Sequence, residues 1–391
     1  MSKQNNRFVI ADKHSLKEVT THQDLANGRG NGQAFVGISP EKGYISSTAG
    51  IQVVNLTDSS LSEQIVIPGN PSIGNIVYIG KYVFATGQNN AYVIDVETDK
   101  FVQTLDIDQP GSVVISKDGN VWVGNPNSLF RINPITLEKH KVRDIGSTPI
   151  RGTWDAWNPN SFIASPANNT LYWSITPGMF GSSKRLIKYD IDKDEITPEF
   201  FVLGSDTDYG IEKDFLSEGT SSTALAFYGG VLRINPLDGK LYAIVKRDGW
   251  GESGCYNWLF IIDENGKVER TIPIGNDDES DVAPKDQKYY WFPSMPLFND
   301  HYDPEILLEE VKLLKNESAT IELDDLVYDP DNMACLIKTT IESDEKIDFF
   351  EQSIENNQLI LTDIKSGEGE LKISTVSNGV RVEKTIPISV E

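Results

Sequence analysis

The sequence predicts an all-β protein, a β-propeller of six or seven blades followed by a small β-sandwich. Three observations lead to this prediction. A two-strand pattern recurs along the chain up to Ile274, and its first copies are spaced at about 40 residues, which is the length of one propeller blade. Beyond His301 the sequence changes to short alternating strands separated by Gly and Asn turns, which are typical of a small sandwich.

The recurring pattern is clearest in residues 91–107, AYVIDVETDKFVQTLDI, where an apolar strand ends in Asp95, a polar turn follows and a second strand returns. Other copies are IQVVNLTDSSLSEQIVI (51–67), LFRINPITLEKHKVRDI (129–145), LIKYDIDKDEITPEFFV (186–202), LFIIDENGKVERTIPI (259–274) and a degenerate FVIADKHSLKEVTT starting at Phe8. The anchor residues are Ala11, Asn55, Asp95, Asn133, Asp190 and Asp263. Because Asp and Asn side chains bond to the backbone of a following turn, we interpret Asp95 as a turn former and not as a catalytic residue.

A second hairpin precedes the anchors, as in NIVYIGKYVFAT before Asp95 and SVVISKDGNVWVG before Asn133. Two hairpins per period give four strands, and radially arranged four-stranded sheets are propeller blades. After Asn133 the spacing lengthens at the insertions SITPGMFGSSKR, GSDTDYGIEKDFLSEG and KRDGWGESGCYN. Insertions into a rigid repeat fall in loops, and loops carry function.

The segment YYWFPSMPLFND (289–300) predicts strands of a last blade, which the hairpin at Phe8 completes. This closure removes the exposed sheet edge and gives six blades. A propeller of seven blades remains an alternative, and so does an open β-sandwich whose hairpins are unrelated. The predicted domains are a disordered tail (1–7), the propeller (8–302), a linker (303–316) and a β-sandwich of immunoglobulin or cadherin type (317–391).

Composition excludes some classes of function. The chain has 58 acidic and 35 basic residues and a net charge of −23, which argues against nucleic acid as a partner because such binding needs cationic neutralisation of phosphates. Two cysteines, Cys255 and Cys335, make no disulfide framework or metal-ligand spacing. No apolar run is long enough for a membrane span, and the start MSKQNN is too polar for a secretory signal.

Catalytic motifs are absent from the sequence. The four histidines lack a paired zinc spacing, and neither a GxSxG elbow nor a phosphate-binding loop occurs. We therefore expect a protein that is not an enzyme and needs no cofactor, except that calcium could be held by scattered oxygen ligands. Asp329 and Asp331, with Asp324 and Asp325, form a candidate calcium cluster, although an Asx-rich turn without metal explains the same residues.

The candidate binding residues are aromatic. Six of the seven tryptophans lie from residue 154 onward, in or beside the insertions, and a Trp in a polar Gly-rich loop exposes a large amphipathic face for a ring-like ligand. The predicted ligand-binding residues are Arg151, Trp154, Asp155, Trp157, Trp173, Arg233, Lys246, Asp248, Trp250 and Tyr256. For Trp173, Trp258 and Trp291, packing inside a blade is the alternative interpretation.

Three segments, WNPNSFIASPANNTLYWSI, RINPLDGKLYAIV and YYWFPSMPLFND, resemble the YVTN-repeat-like surface propeller proteins of Bacteroidetes-type bacteria. The tail IELDDLVYDPDN resembles cadherin-like or immunoglobulin-like modules. The resemblance implies a lipid-anchored protein at the cell surface or outer membrane, which captures a nutrient, such as the corrinoid vitamin B12, for an outer-membrane transporter. Two alternatives stay open: a metal-dependent propeller lactonase or lyase, and a surface adhesion or scaffold protein that binds protein or glycan.

Overall fold

The computed structural model describes residues 7–11, 15, 17–23, 35–150, 162–174, 184–211, 225–227, 232–247, 257–274, 302–315, 317–343, 348–355, 357–377 and 379–391. The chain divides into two compact units. The first contains Met1–Val36 and Gly43–Phe298, and the second contains Gly37–Lys42 and Asn299–Glu391. Both are built of β-strands, which confirms the all-β prediction.

The strands up to Ile274, which belong to the first unit except for Gly37–Lys42, form a hairpin and five small sheets that follow chain order. The hairpin pairs β1 (Arg7–Ala11) with β2 (Glu18–Gln23). Sheet 1 contains β3 (Phe35–Ser39), β4 (Lys42–Ser47), β5 (Gly50–Asn55) and β6 (Leu61–Ile65). Sheet 2 contains β7 (Ile73–Ile79), β8 (Tyr82–Gly87), β9 (Ala91–Asp95) and β10 (Lys100–Thr104). Sheet 3 contains β11 (Val113–Ile115), β12 (Val121–Gly124), β13 (Ser128–Ile132) and β14 (Lys139–Asp144). Sheet 4 contains β15 (Phe162–Ala164), β16 (Thr170–Ser174), β17 (Arg185–Asp190) and β18 (Glu195–Val202). Sheet 5 contains β19 (Leu225–Ala226), β20 (Leu232–Ile234), β21 (Leu241–Arg247), β22 (Asn257–Ile262) and β23 (Val268–Ile274).

The sheets are arranged radially. Strands of sheets 2 to 5 contact one another in succession, β7 with β11, β11 with β15, and β15 with β20. Sheets 2 to 5 therefore present β7, β11, β15 and β20 to a common axis and their last strands to the outside. Antiparallel four-stranded sheets in this arrangement give a propeller-like fold. The segment 289–300, predicted to complete the last blade, lies outside the described residues.

Apolar side chains pack between neighbouring sheets. Trp122 of sheet 3 is fully buried and lies edge-on to Tyr189 of sheet 4, with 5.8 Å between the ring centroids. A second cluster joins sheets 4 and 5 through Tyr172, Phe201 and Phe260. Polar bonds also cross from sheet to sheet: the Arg143 guanidinium donates to the Asp194 backbone carbonyl at 2.7 Å and to its carboxylate at 3.0 Å.

The anchor residues of the repeat form turns. The Asp95 carboxylate accepts the backbone N–H of Glu97 at 3.0 Å and of Thr98 at 2.9 Å. Asn133 accepts two N–H groups in the same way, at 2.8 and 3.0 Å. Asn55 and Asp263 also accept the N–H of the residue two positions later. These Asx turns confirm the interpretation of Asp95 as a turn former and explain why the repeat carries Asp or Asn at this position.

The second unit is a sandwich-like pair of sheets. Its elements are β24 (Glu305–Ile306), β25 (Val311–Leu313), β26 (Ser318–Glu322), α1 (Leu323–Leu326), β27 (Val327–Tyr328), β28 (Lys338–Ser343), β29 (Phe350–Glu355), β30 (Gln358–Asp363), β31 (Gly367–Ser377) and β32 (Val380–Val390). One sheet has the strand order β25-β32-β31-β28 and the other β26-β30-β29, and a short pair β24-β27 lies beside them. The edge strand β25 runs parallel to β32, whereas β26 with β30, β28 with β31, β29 with β30 and β31 with β32 pair antiparallel.

The predicted linker at 303–316 needs a correction. Ile306, Val311 and Leu313 are buried in the core of the second unit together with residues of β30, β31 and β32. The sandwich therefore begins before residue 317, because its parallel edge strand lies in the segment that the sequence analysis assigned to the linker. Likewise, Arg7 begins β1 and is not part of a tail. Among the described residues, no helix is long and apolar enough to cross a membrane.

Candidate functional site

The segments that break the repeat are attached at one edge of sheets 4 and 5. In sheet 4, Phe162 pairs with Trp173 and Ser174 pairs with Leu186, so segments 151–161 and 175–183 both connect to the same edge of that sheet. In sheet 5, Leu225 pairs with Arg247, and segments 212–224 and 248–256 connect at that edge. We call this edge of the first unit the insertion face.

The opposite edge carries short turns, and these turns contact each other from sheet to sheet. Lys117 Nζ of sheet 3 donates to the Ala167 carbonyl of sheet 4 at 3.0 Å, and the Asp118 N–H donates to Asn169 Oδ1 at 3.0 Å. Gly239 of sheet 5 also faces Ala167, since a Cβ added to Gly239 would lie 3.1 Å from the Ala167 Cβ. Because the turn edges of sheets 3, 4 and 5 adjoin, their insertion edges share the other face.

Most of the predicted ligand-binding residues lie outside the described residues. These are Arg151, Trp154, Asp155, Trp157, Asp248, Trp250 and Tyr256. Lys246 is in β21, where its backbone pairs with Ala226 and Asn257. The described strand ends therefore show where the segments with Trp154, Trp157 and Trp250 are attached, and the binding role of these residues stays a prediction.

Trp173 lies at the insertion edge of sheet 4, but its side chain is fully buried. Its indole N–H donates to the Thr148 carbonyl at 2.9 Å, and its ring packs edge-on to Phe162 at 6.1 Å. Its only hydrogen-bond donor is thus used, and its ring has no exposed surface for a ligand. Trp173 is therefore packed inside the blade, as its alternative interpretation predicted, and we leave it out of the proposed binding site. Trp258 is buried in the same way, in the core between sheets 4 and 5.

Arg233 lies on β20, the strand of sheet 5 nearest the axis, opposite Tyr242. Its Nη1 donates to the backbone carbonyl of Leu232 at 3.0 Å, and its Nε is buried without a hydrogen-bond partner. Burial lowers the pKa of Arg233. Within the described part of the chain no carboxylate pairs with this guanidinium, which is unusual for a partly buried arginine.

The strand that carries Arg233 is interrupted. Both β19 and β20 pair with β21: Ala226 pairs with Lys246 and Leu232 pairs with Ala243, so five residues of the chain separate the two strands and two residues of β21 separate their partners. In the sequence, Tyr-Gly-Gly at 228–230 is a signal for a break between the two strands.

The candidate calcium residues form a turn in the second unit. Asp329 is buried, and its Oδ1 accepts the backbone N–H of Asp331 at 3.1 Å. Burial, together with the neighbouring Asp331 carboxyl, raises the pKa of Asp329 to about 6. No group of three or more His, Cys, Asp or Glu side chains among the described residues is arranged to hold a metal ion. These contacts are those of an Asx turn, and calcium binding by Asp329 and Asp331 stays a prediction.

The fold and the strand pairing define a propeller-like all-β protein that carries its insertions on one face. Residues 1–299 match the model of a protein family described as a domain of unknown function, DUF5074. The chain belongs to this family, because the match covers more than half of it. No curated protein matches the chain.

Solved structures that match this chain include three from Bacteroides thetaiotaomicron. A quinonprotein alcohol dehydrogenase-like protein is 18% identical, with 70% of this chain and 62% of that chain covered and a TM-score of 0.46. The extracellular domain of a protein described as a one-component system is 14% identical, with 90% of this chain and 43% of that chain covered and a TM-score of 0.36. The extracellular domain of a protein described as a hybrid two-component system is 12% identical, with 96% of this chain and 51% of that chain covered and a TM-score of 0.39. The chain spans less than two thirds of each of these proteins, and at these TM-scores the likeness carries no inference about its activity.

Proposed function

We propose that this protein is a non-enzymatic binding protein whose ligand lies on the insertion face of the first unit. The observation that carries this proposal is the attachment of the segments 151–161, 175–183, 212–224 and 248–256 at that face. These segments bring Trp154, Trp157 and Trp250 with them. Amphipathic aromatic rings gathered over a rigid scaffold suit a flat or ring-like ligand.

The ligand we propose is a corrinoid such as vitamin B12, held at the cell surface for an outer-membrane transporter by a lipid-anchored protein. Support for the corrinoid, the anchor and the transporter comes from the resemblance of the segments that begin at Trp157, Arg233 and Tyr289 to surface propeller proteins. A glycan is the second candidate ligand, because aromatic rings also stack on sugars through their apolar faces.

We further propose six blades, formed by the five described sheets and a last blade in which 289–300 joins the β1-β2 hairpin. The second unit we propose to be an immunoglobulin-like or cadherin-like module that serves as spacer or docking domain. Its three- and four-stranded sheets and its parallel edge strand β25 support this assignment.

Calorimetric titration with cyanocobalamin tests the corrinoid proposal. We expect saturable heat from the wild type and at least tenfold weaker binding by the double variant Trp157→Ala, Trp250→Ala. The matched control is Leu237→Ser, which removes an exposed apolar side chain from a turn on the opposite face and should leave binding unchanged. Absence of heat at high micromolar cyanocobalamin would exclude the corrinoid, and equal loss in the control would show that the insertion face is not the site.

A further inference from the structure

Neighbouring sheets of the first unit are joined by a recurring hydrogen bond from the fourth strand of one sheet to a turn of the next. Gln103 on β10, the fourth strand of sheet 2, donates through Nε2 to the Leu137 carbonyl of sheet 3 at 3.4 Å. Arg143 on β14, the fourth strand of sheet 3, donates through Nη1 to the Asp194 carbonyl of sheet 4 at 2.7 Å. Both acceptors lie in the turn between the third and fourth strands of their own sheet and have a left-handed backbone, with φ of 59° and 51°.

Sheet 1 receives the same kind of bond from the β1-β2 hairpin. Ser59 lies in the turn between β5 and β6, the third and fourth strands of sheet 1, and its backbone is left-handed, with φ of 61°. His22 on β2 places its Nε2 at 2.8 Å from the Ser59 carbonyl oxygen. Since a carbonyl oxygen only accepts, the imidazole N–H is the donor in this contact. The strand β2 therefore stands toward sheet 1 as the fourth strand of sheet 2 stands toward sheet 3.

The apolar side of the hairpin supports this placement. On β1, Phe8 pairs with His22, and Ile10 lies on the same side of the hairpin because side chains alternate along a strand. Ile10 packs against Ile45 and Val54, which are fully buried residues of sheet 1. The side of the hairpin that carries His22 and Ile10 therefore faces sheet 1.

The third and fourth strands of sheet 3 are arranged in the same way. Arg143 of β14 pairs with Leu129 of β13, and Leu129 belongs to the buried cluster that sheets 3 and 4 share. These two strands thus contribute an apolar residue and a side-chain donor to the junction with the next sheet. The hairpin matches them in both respects, with β1 in the place of the third strand and β2 in the place of the fourth.

The hairpin is the smallest of the described sheets in the first unit. A two-stranded hairpin by itself is at best marginally stable in water, so β1 and β2 depend on their contacts with sheet 1. Elements that are held by few buried contacts open as units, at a lower free energy than the core of a protein. When the hairpin comes away, Ile45 and Val54 of sheet 1 lose the side chain that covers them.

We infer that the β1-β2 hairpin is a detachable strap that closes the ring of sheets in the first unit. It takes the third and fourth strand positions of the sheet that precedes sheet 1, and the ring opens between the strap and sheet 1 before it opens between sheets 3 and 4. The six-blade arrangement proposed above specifies neither the strands that the hairpin supplies nor the junction that opens first. The strap does not depend on the identity of the ligand.

Native-state hydrogen exchange of the full chain, measured by mass spectrometry, tests the strap. The variant His22→Ala loses the hydrogen bond to Ser59, and we expect about fivefold faster exchange in residues 7–23 and in β4 and β5 of sheet 1. Exchange in β16 and β17 of sheet 4 should stay at the wild-type rate. The variant His22→Gln should stay within about twofold of the wild type, because a glutamine makes the corresponding bond at position 103. The matched control is Lys17→Ala, which removes an exposed side chain between β1 and β2 and should leave exchange unchanged.

Faster exchange in the hairpin alone would overturn the inference, since sheet 1 would then keep its structure without the strap. Equal acceleration in sheets 1 and 4, or no acceleration anywhere in His22→Ala, would also overturn it, because the ring would not open first at the strap. If His22→Ala fails to fold, the single variants Ile10→Ala and Val54→Ala and their double variant decide. Their effects on the exchange rate of residues 7–23 should depart from additivity by at least about twofold, because the two side chains are in contact. Additive effects would refute the docking of the strap on sheet 1.

Discussion

The substitution Trp173→Phe separates a packing role from a ligand-binding role for this residue. Phenylalanine keeps an aromatic ring against Phe162 but removes the indole N–H, so the Thr148 carbonyl loses its 2.9 Å donor. A buried acceptor without its partner costs roughly 1–3 kcal/mol, and the smaller ring leaves a cavity that costs on the order of 1 kcal/mol. We therefore expect the free energy of unfolding of the first unit to fall by about 3 kcal/mol.

The assay is urea denaturation followed by tryptophan fluorescence and circular dichroism. The matched control is Trp122→Phe in sheet 3, where the indole N–H donates to Ser116 Oγ at 2.8 Å. We expect this variant to lose less stability, because the Ser116 hydroxyl proton still has an acceptor in the Asp118 carboxylate or the Asn120 carbonyl. Unchanged stability of Trp173→Phe combined with weaker cyanocobalamin binding would refute the reasoning and return Trp173 to the binding site.

Three further predictions concern single charged residues. Asp95→Ala should lower the free energy of unfolding by roughly 1–2 kcal/mol, because two backbone N–H groups lose their acceptor. Asp95→Asn should be close to neutral, since Asn133 accepts the same kind of hydrogen bonds in its own turn. Chemical denaturation of both variants and the wild type measures these differences. Asp329→Asn should stabilise the second unit at pH 7 by up to about 3 kcal/mol, and the gain should vanish below the usual Asp pKa of about 4. The gain is expected at pH 7 because the raised pKa of Asp329 means that the folded wild type favours the protonated carboxyl and loses stability as pH rises through about 6. An equal gain at pH 3 and pH 7 would contradict the raised pKa of Asp329. Arg233→Met should increase the free energy of unfolding by about 1 kcal/mol, because a partly buried charge without a carboxylate partner among the described residues is removed. Thermal unfolding in chloride buffer should therefore show a higher midpoint, and a lower midpoint would mean that Arg233 stabilises the fold.

The repeat could be predicted from the sequence because its signals are local. Residues 91–107 contain the apolar strand, the turn-forming Asp95 and the return strand within one short stretch, and the structure has β9 and β10 there. The same holds for the hairpin at Phe8 and for β22 and β23. Hydrogen bonds of the turn form between neighbours in the chain, so no distant partner is needed to define it.

Features that depend on distant partners could not be predicted in this way. The strand β25 gains its structure from parallel pairing with β32, at the other end of the second unit, and the segment alone resembles a polar connector. The sequence RINP occurs twice, at Arg131 and at Arg233. Arg131 is exposed on β13, whereas Arg233 is partly buried on β20, and nothing in the four letters distinguishes them.

The claim that the tryptophan-bearing insertions share one face is tested most directly by pulsed electron paramagnetic resonance. Spin labels are placed at Trp157, at Trp250 and at Asn265, which lies in a turn of sheet 5 on the opposite face, after Cys255 and Cys335 have been replaced by serine. We predict a shorter distance between the labels at 157 and 250 than between those at 157 and 265. The reverse order would contradict the shared insertion face and, with it, the proposed binding site.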